Sequence, residues 1–295
     1  MSPAPTLADV VAVLEDLYPP STAEGWDAVG LVAGDPAALV RTVAFAVDPV
    51  AAVVDEALAW GADLLVTHHP LFLKPVHGVP ATTFKGAVVH RLLTNGCGLY
   101  VAHTNADAAP RGVADALADL VGITDRRPLV VREDGAGDDP GDTGRGIGRV
   151  GRLAEPTTLR AFAERVAAVL PPVAQGVRVA GDLDATVSTA AVVGGSGDSL
   201  FDAVRAAAVD VYVTADLRHH PASELRERAE FEADPARRAA GTPFLVDVAH
   251  FASEWPWLAY AAQDLVARLG EGTVTTRVST LPTDPWTARV ASPGR

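Results

Sequence analysis

Short runs of Val, Leu and Ala alternate along the chain with longer stretches in which apolar residues recur at helical spacing. The first such series predicts a strand over residues 42–47, a helix over 49–60 and a strand over 63–67. Strands that alternate with helices are typical of a mainly parallel or mixed sheet covered by helices. We therefore expect an α/β protein in which mixed β-sheet is flanked by helices.

Two stretches of the chain share a pattern at a constant separation. A shift of 147 residues places residues 44–67 on 191–214 without a gap, and it also places the VAH of residues 101–103 on the VAH of 248–250. Four residues after each VAH stands a carboxylate, Asp107 in the first copy and Glu254 in the second. The constant shift indicates an internal duplication. We expect two similar lobes related by a pseudo-twofold axis, with the carboxyl ends of equivalent strands brought together.

The expected lobes span residues 1–131 and 150–295. Residues 132–149, between them, are rich in Gly and Asp and predict an acidic linker whose role the sequence leaves open. GIGRVG (146–151), which overlaps the end of this linker, matches G-x-G-x-x-G formally. A dinucleotide-binding loop follows a strand, whereas this segment follows the linker, so we reject that interpretation.

Composition narrows the classes of partner. Cys97 is the only cysteine of the 295 residues, so an intramolecular disulfide and a cysteine-based zinc site are excluded. No run of about 18 apolar residues occurs, and the N-terminal residues lack a signal-peptide pattern, so we expect a cytoplasmic protein that does not contact membranes. The formal net charge of -13 argues against a nucleic-acid partner.

Two consecutive histidines, His68 and His69, end a predicted apolar strand immediately before Pro70. Where a chain turns at a strand end, adjacent side chains can converge on one site. Alone, such a pair is better explained as one core histidine and one surface histidine. The carboxylates Asp107 and Glu254 instead favour a metal site, because imidazole and carboxylate ligands suit Zn, Mn, Fe, Co or Ni.

Each carboxylate also has a simpler explanation, which the sequence leaves open. Asp107 can cap the helix predicted over residues 112–120. Glu254 can precede a helix predicted to start at Pro256 and interact with its dipole.

A specific family resemblance accompanies these residues. The segments concerned are GWDAVGLVAGDP (25–36), DLLVTHHPLF (63–72), VAHTNADAAPRGV (101–113), GIGRVG (146–151), VGGSG (193–197), DVYVTADLRHH (210–220) and DVAHFASEW (247–255). In this order they resemble the blocks of the GTP cyclohydrolase 1 type 2 homolog family, the Nif-three-like dinuclear metal-centre proteins. The resemblance covers nearly the whole chain.

The resemblance implies a centre of two divalent metal ions per subunit and a homo-oligomer, typically a hexameric ring. Glu254 would be able to bridge the two ions. The chain departs from the family pattern at Ala28 and Ala215, and its linker is too short for the extra domain of larger relatives. The five implied metal ligands are all present: His68, His69, Asp107, His250 and Glu254.

Further residues are candidates for supporting roles. His220 matches a family histidine and His103 is the repeat partner of His250, so each is a candidate to orient a ligand or transfer a proton; for His220 a polar loop end is an equal alternative. Lys74, with Lys85, is a candidate to attract an anionic substrate, although a solvated loop explains it as well. Gly195 and Gly197, which follow a predicted strand, either cradle a phosphate or form an ordinary turn.

The leading functional hypothesis is a metal-dependent hydrolase that acts on a nucleotide through a water bridging the metals. GTP is suggested by the family name alone. One alternative is a non-catalytic metal-storage, metal-delivery or regulatory scaffold, and another is a metal-dependent phosphoesterase.

Overall fold

The computed structural model describes residues 4–131 and 144–292, in which strands and helices alternate. The strands are β1 (Gly30–Ala33), β2 (Thr42–Ala46), β3 (Leu64–Thr67), β4 (Gly98–Val101), β5 (Ile123–Val131), β6 (Gly146–Thr158), β7 (Arg178–Ala180), β8 (Thr186–Ser196), β9 (Val211–Ala215), β10 (Phe244–Val248) and β11 (Thr275–Val278). The α-helices are α1 (Leu7–Leu17), α2 (Ala51–Trp60), α3 (Phe84–Thr94), α4 (Thr104–Ala108), α5 (Val113–Val121), α6 (Leu159–Val169), α7 (Phe201–Ala206), α8 (His219–Glu232), α9 (His250–Glu254) and α10 (Trp257–Leu269). Among the residues described, every helix is too short or too polar to span a bilayer.

The chain divides into two compact units. Unit 1 contains residues 4–112 and 257–283, and unit 2 contains 113–131, 144–256 and 284–292. These boundaries differ from the expected lobes of 1–131 and 150–295. The reason is strand pairing across long sequence distances: β5 pairs with β6 of unit 2, whereas β11 pairs with β2 of unit 1.

Unit 1 is built on a five-stranded sheet in the order β1-β4-β3-β2-β11. Four of its strands run parallel, and β1 is antiparallel to β4. Helices α2 and α3 bury their apolar faces against this sheet, and Val54, Leu65, Leu92 and Leu99 lie in the resulting core. Helix α2 ends at Gly61, whose left-handed φ of 79° terminates the helix before β3.

Unit 2 is built on a six-stranded sheet in the order β5-β6-β8-β9-β10-β7. Its central strands β8, β9 and β10 are parallel, and the remaining pairs are antiparallel. Residues 146–149, expected in the linker, form the start of β6. Gly146 pairs with Val131 of β5, and the Arg149 side chain is buried on Asp115. The rest of the expected linker, residues 132–143, lies outside the described residues.

The sequence repeat corresponds to a repeated arrangement of strands. The 147-residue shift places β2, β3 and β4 on β8, β9 and β10, which are parallel neighbours in the same order. Val43 pairs with Leu64 in unit 1, and the equivalent residues Ala190 and Val211 pair in unit 2. The predicted α/β class with mixed sheets is therefore confirmed, and the parallel strands place His68 and His250 just beyond their carboxyl ends.

Candidate metal centre

Three histidines of unit 1 lie together beyond the carboxyl ends of two adjacent strands. His68 and His69 follow β3 directly, and His103 follows β4, its parallel neighbour. Each of the three offers a ring nitrogen, and the three nitrogens lie within 4.8 Å of one another. The structure thus contains a cluster of imidazoles that can hold a metal ion.

The Nδ1 atom of each of these imidazoles is held by an oxygen of the protein. Nδ1 of His68 lies 2.9 Å from the carbonyl oxygen of Ala102. Nδ1 of His69 lies 2.7 Å from Oδ1 of Asp48, and Nδ1 of His103 lies 2.9 Å from Oδ1 of Asp27. A carbonyl or carboxylate oxygen only accepts, so Nδ1 is the donor, and in the neutral ring Nε2 is left with the lone pair. This is the arrangement by which proteins orient histidine ligands of metals.

The His68 ring is completely buried against aromatic neighbours. The ring of Trp257, the first residue of α10, lies 5.5 Å away between centroids, and Trp257 Nε1 donates to the hydroxyl of Tyr18 at 3.2 Å. Asp107, on α4, places Oδ1 3.8 Å from Nε2 of His68. Unit 1 therefore brings its three predicted ligands, His68, His69 and Asp107, to one end of its sheet.

Asp27 provides a fixed negative charge behind His103. Burial raises the pKa of Asp27, but hydrogen bonds from His103 and Thr104 outweigh burial and hold that pKa well below its usual range. Asp27 is therefore an anion at all physiological pH values. The hydrogen bond to Asp27 fixes the orientation of the His103 ring beside His68 and His69.

In unit 2, His250 and Glu254 are the first and last residues of α9. The four-residue spacing places them one helical turn apart, with Nε2 of His250 2.9 Å from Oε1 of Glu254. Glu254 is only 3% exposed. Nδ1 of His250 lies 2.7 Å from Oδ2 of Asp216, which follows β9 in a left-handed conformation with φ of 55°. Glu254 thus ends a helix and does not merely precede one.

Gly195 leaves the space that the Glu254 carboxylate occupies. A Cβ at position 195 would lie 2.6 Å from Oε1 of Glu254 and 3.1 Å from Nε2 of His250. The Gly195 N–H donates to Oγ of Ser253 at 2.8 Å. Imidazole nitrogens backed by carboxylates, together with a buried carboxylate beside a glycine, form a donor set that fits divalent metal ions.

The residues predicted to bind substrate or transfer a proton lie in different surroundings. A Cβ at Gly197 would lie 2.1 Å from Oγ1 of Thr214, so close packing requires glycine there. Lys74 is exposed in the segment after β3, and His220 is exposed in the first turn of α8 with its ring 5.1 Å from that of His219. A substrate-binding role for Gly195, Gly197 and Lys74 stays a prediction, as does proton transfer by His220.

Comparison with known proteins agrees with this fold. The family model described as Duf34/NIF3 (NGG1p interacting factor 3) matches residues 5–285. The chain belongs to this family. The resemblance inferred from the sequence blocks is thereby confirmed, and the Duf34/NIF3 match extends over both units.

Similar proteins include two bacterial relatives that share one name. The "GTP cyclohydrolase 1 type 2 homolog" of Streptomyces coelicolor is 52% identical over 293 residues, which cover 98% of this chain and 96% of that protein. That of Mycobacterium tuberculosis is 38% identical over an alignment of 379 positions, gaps included, which covers 95% of this chain and 96% of that protein.

Two solved structures, among others, share the fold. A Bacillus cereus protein related to NIF3 superposes with a TM-score of 0.83 at 24% identity and covers 97% of this chain and 99% of its own. A Staphylococcus aureus hypothetical protein superposes with a TM-score of 0.82 at 25% identity, covering 97% of this chain and 100% of its own.

Sequence reasoning missed the residues that orient the histidines of this Duf34/NIF3 chain. Asp48 stands just after β2 and Asp216 just after β9, so polar residues at the carboxyl ends of strands were the available signal. Asp27 lies in the GWDAVG block without any local pattern that indicates its partner. Trp257 gave no signal, since an aromatic residue near a helix start is ordinary.

Proposed function

We propose that this protein binds divalent metal through His68, His69, Asp107, His250 and Glu254 and acts as a metal-dependent hydrolase on a nucleotide. One observation carries the proposal: His68, His69 and His250 each have Nδ1 within 2.9 Å of a carbonyl or carboxylate oxygen, which directs Nε2 as the ligand atom. A buried histidine such as His68 needs such a partner for structural reasons alone. His69 and His250 are only partly buried, so the carboxylates on their Nδ1 atoms are not needed to satisfy a buried group and favour ligand orientation.

The carboxylates complete the donor set in a form suited to cations. Asp107 is partly buried and Glu254 is nearly inaccessible, and burying a carboxylate is favourable only beside positive charge. Two divalent ions against the charges of these two carboxylates would leave net positive charge in a chain whose formal charge is -13. Such a centre would attract an anionic substrate.

Divalent metal at such a donor set supplies Lewis-acid activation of water and of a substrate oxygen, which supports hydrolysis as the reaction class. The protein's own residues would bind and orient. Asp48 and Asp216 hold the His69 and His250 rings, and Asp27 holds His103, which we propose as a group that orients substrate or transfers a proton. The name of the relatives, GTP cyclohydrolase 1 type 2 homolog, makes GTP the first substrate to test.

The experiment measures bound metal by elemental analysis, together with GTP turnover, in the full-length protein and in His68→Ala and Glu254→Ala. We expect two metal ions per chain in the unaltered protein and in the control His77→Ala, which changes an exposed histidine. Both ligand variants should lose metal and activity. If two ions per chain persisted in both ligand variants, the site assignment would be wrong.

The same measurements separate the alternative functions. Stoichiometric metal without turnover of GTP or phosphoesters, with transfer of metal to client proteins, is the result expected of a storage, delivery or regulatory scaffold. Hydrolysis of phosphodiesters or other nucleotides, without GTP ring opening, is the result expected of a phosphoesterase.

The homohexamer and the cytoplasmic location are also proposals, supported by the family resemblance. Light scattering coupled to size-exclusion chromatography tests the first, with a mass about six times 30.5 kDa expected. A monomeric mass at micromolar concentration would contradict it.

A further inference from the structure

A cavity of about 260 Å³ lies beside His69 in unit 1. Its walls are the loop that carries Asp48 into α2, the segment from His69 to Leu71, and the first turn of α3 with Phe84 and Lys85. It therefore lies at the carboxyl ends of the parallel strands β2 and β3, where ligands of α/β sheets collect. Sites for small molecules usually measure about 300–1,000 Å³, so this cavity suits a small ligand and not an extended one.

One wall of the cavity is an exposed aromatic ring. Phe84 is the first residue of α3, and its side chain is 80% exposed. The helix start is fixed independently of this ring, because Oγ1 of Thr83 accepts from the N–H of Gly86. The Phe84 face is thus available for a planar ring to stack on it.

A second wall carries a positive charge that no carboxylate neutralises. Nζ of Lys85 lies 5.8 Å from the ring centroids of both Phe72 and Phe84, and among the described residues Lys85 forms no ion pair. The other charged groups in the lining are His69 and Asp48, and they engage each other. Lys85 is therefore the cation of this cavity that can meet an anion.

The remaining surroundings also favour negative charge. Oδ1 of Asp48 is bound to His69, and Oδ2 accepts from the hydroxyl of Thr283, so both carboxylate oxygens are engaged. The first turn of α2 borders the cavity through Ala51, and its N-cap residue Val50 has no side-chain acceptor. The N-terminus of a ten-residue helix thus adds its positive end to the charge of Lys85.

We propose that this cavity binds a planar aromatic ring that bears a phosphate, the chemistry of a nucleoside monophosphate. The ring stacks on Phe84, and the phosphate accepts hydrogen bonds from Nζ of Lys85 beside the first turn of α2. The proposal rests on the proposed function for the choice of a nucleotide, because the cavity adjoins the ligand His69. Binding in it needs no metal.

The test measures binding of guanosine 5′-monophosphate, guanosine and inorganic phosphate by calorimetry, in the full-length protein as isolated and after treatment with a chelator. The nucleotide should bind more tightly than either fragment in both preparations. Phe84→Ala should lower the affinity for the nucleotide and for guanosine about tenfold, which corresponds to the loss of one stacking contact. Lys85→Gln should lower the affinity for the nucleotide about three- to tenfold and leave the affinity for guanosine unchanged. Lys85→Arg, which keeps the positive charge, should bind the nucleotide as the unaltered protein does.

The chain offers a control on the same helix, because Arg91 of α3 pairs with Asp55 and does not line the cavity. Arg91→Gln should leave nucleotide binding unchanged. If Phe84→Ala and Lys85→Gln both bound the nucleotide as the unaltered protein does, or if Arg91→Gln weakened nucleotide binding as much as Lys85→Gln, the proposal would be overturned. If the isolated protein contained no metal but still bound the nucleotide in this way, the proposed metal-dependent hydrolase would be overturned and the nucleotide site would stand.

Discussion

Oδ1 of Asp48 lies 2.7 Å from Nδ1 of His69, and this contact joins the ends of two adjacent parallel strands, β2 and β3. Unit 2 uses the same solution independently: Oδ2 of Asp216 lies 2.7 Å from Nδ1 of His250, beyond the ends of β9 and β10. In both units a carboxylate at one strand end fixes a histidine at the next. The neighbouring strands of the sheet thus set the orientation of the imidazoles.

Removing the Asp48 carboxylate should weaken metal binding without unfolding the protein. We expect Asp48→Ala to lower metal affinity about 10- to 100-fold, because loss of the group that orients a histidine ligand has this effect in metal sites. Asp48→Asn, which keeps an acceptor but loses the charge, should cost less. Competition with a fluorescent chelator measures both affinities.

The control for Asp48 is Asp55→Asn, which removes an equal charge from the exposed surface of α2, where Asp55 pairs with Arg91. This variant should bind metal normally. Equal affinities for Asp48→Ala and Asp55→Asn would show that the carboxylate does not act through His69.

Gly195→Ala should reduce metal binding by displacing Glu254. Gly195 has a φ of 67° and Gly176 a φ of 64°, so alanine at either position costs about 1 kcal/mol of folding stability through backbone strain. Only at position 195 would the new Cβ meet Glu254, since the space around Gly176 is open within 4 Å. Urea unfolding should show similar strain in both variants, whereas metal affinity should fall about tenfold or more in Gly195→Ala alone. Normal metal binding by Gly195→Ala would contradict the position assigned to the Glu254 carboxylate.

Asp115→Ala should strongly destabilise unit 2. The guanidinium of Arg149 is 2% exposed and donates to both oxygens of Asp115, at 2.9 and 2.7 Å. Removing one partner of a buried ion pair leaves an uncompensated charge and typically costs about 3–5 kcal/mol. The control Asp202→Ala removes an exposed partner of Arg205 and should cost under about 1 kcal/mol. Similar urea midpoints for the two variants would show that the buried pair stabilises the protein no more than the exposed one.

Cys97 should be unreactive in the folded protein. Burial raises the pKa of the Cys97 thiol to about 12, and the charge of Asp63 raises it further in the same direction. The thiolate, which is the nucleophile, forms only as the pH approaches that value. At pH 8 a disulfide reagent should therefore modify the native protein at least about 100-fold more slowly than the urea-unfolded chain. Equal rates would mean that the β4 region opens readily.

The fold was predictable where the signal was local. The alternation of apolar runs gave β2, α2 and β3 nearly to the residue, and the constant shift gave their counterparts in unit 2. The assignment of β5 to unit 2 and of β11 to unit 1 was not predictable, because each depends on pairing with a strand that is distant in sequence. Residues 146–149 were mistaken for linker because glycines at 146 and 148 mask a strand that Arg149 anchors.

The site was predictable as far as its residues follow strands or carry the family's blocks. His68, His69 and His250 could be found in this way, and Asp107 and Glu254 followed from the repeat. The groups that hold them were harder to find. Asp48 stands at a strand end, which was the available signal, whereas Trp257 acts through a contact that the sequence does not express. The helical spacing of His250 and Glu254 was visible, but their strand-end position concealed that one turn of α9 joins them.

The placement of β11 has a consequence for biosynthesis. The segment with α10 and β11 follows every helix and strand described for unit 2, although both elements belong to unit 1. At elongation rates of about 5–20 residues per second, roughly 7–30 s separate the synthesis of Gly112 from that of Trp257. During that interval the nascent unit 1 has neither its edge strand nor the indole that packs on His68. A message truncated before codon 257 would therefore encode every histidine of the cluster without the segment that completes its surroundings.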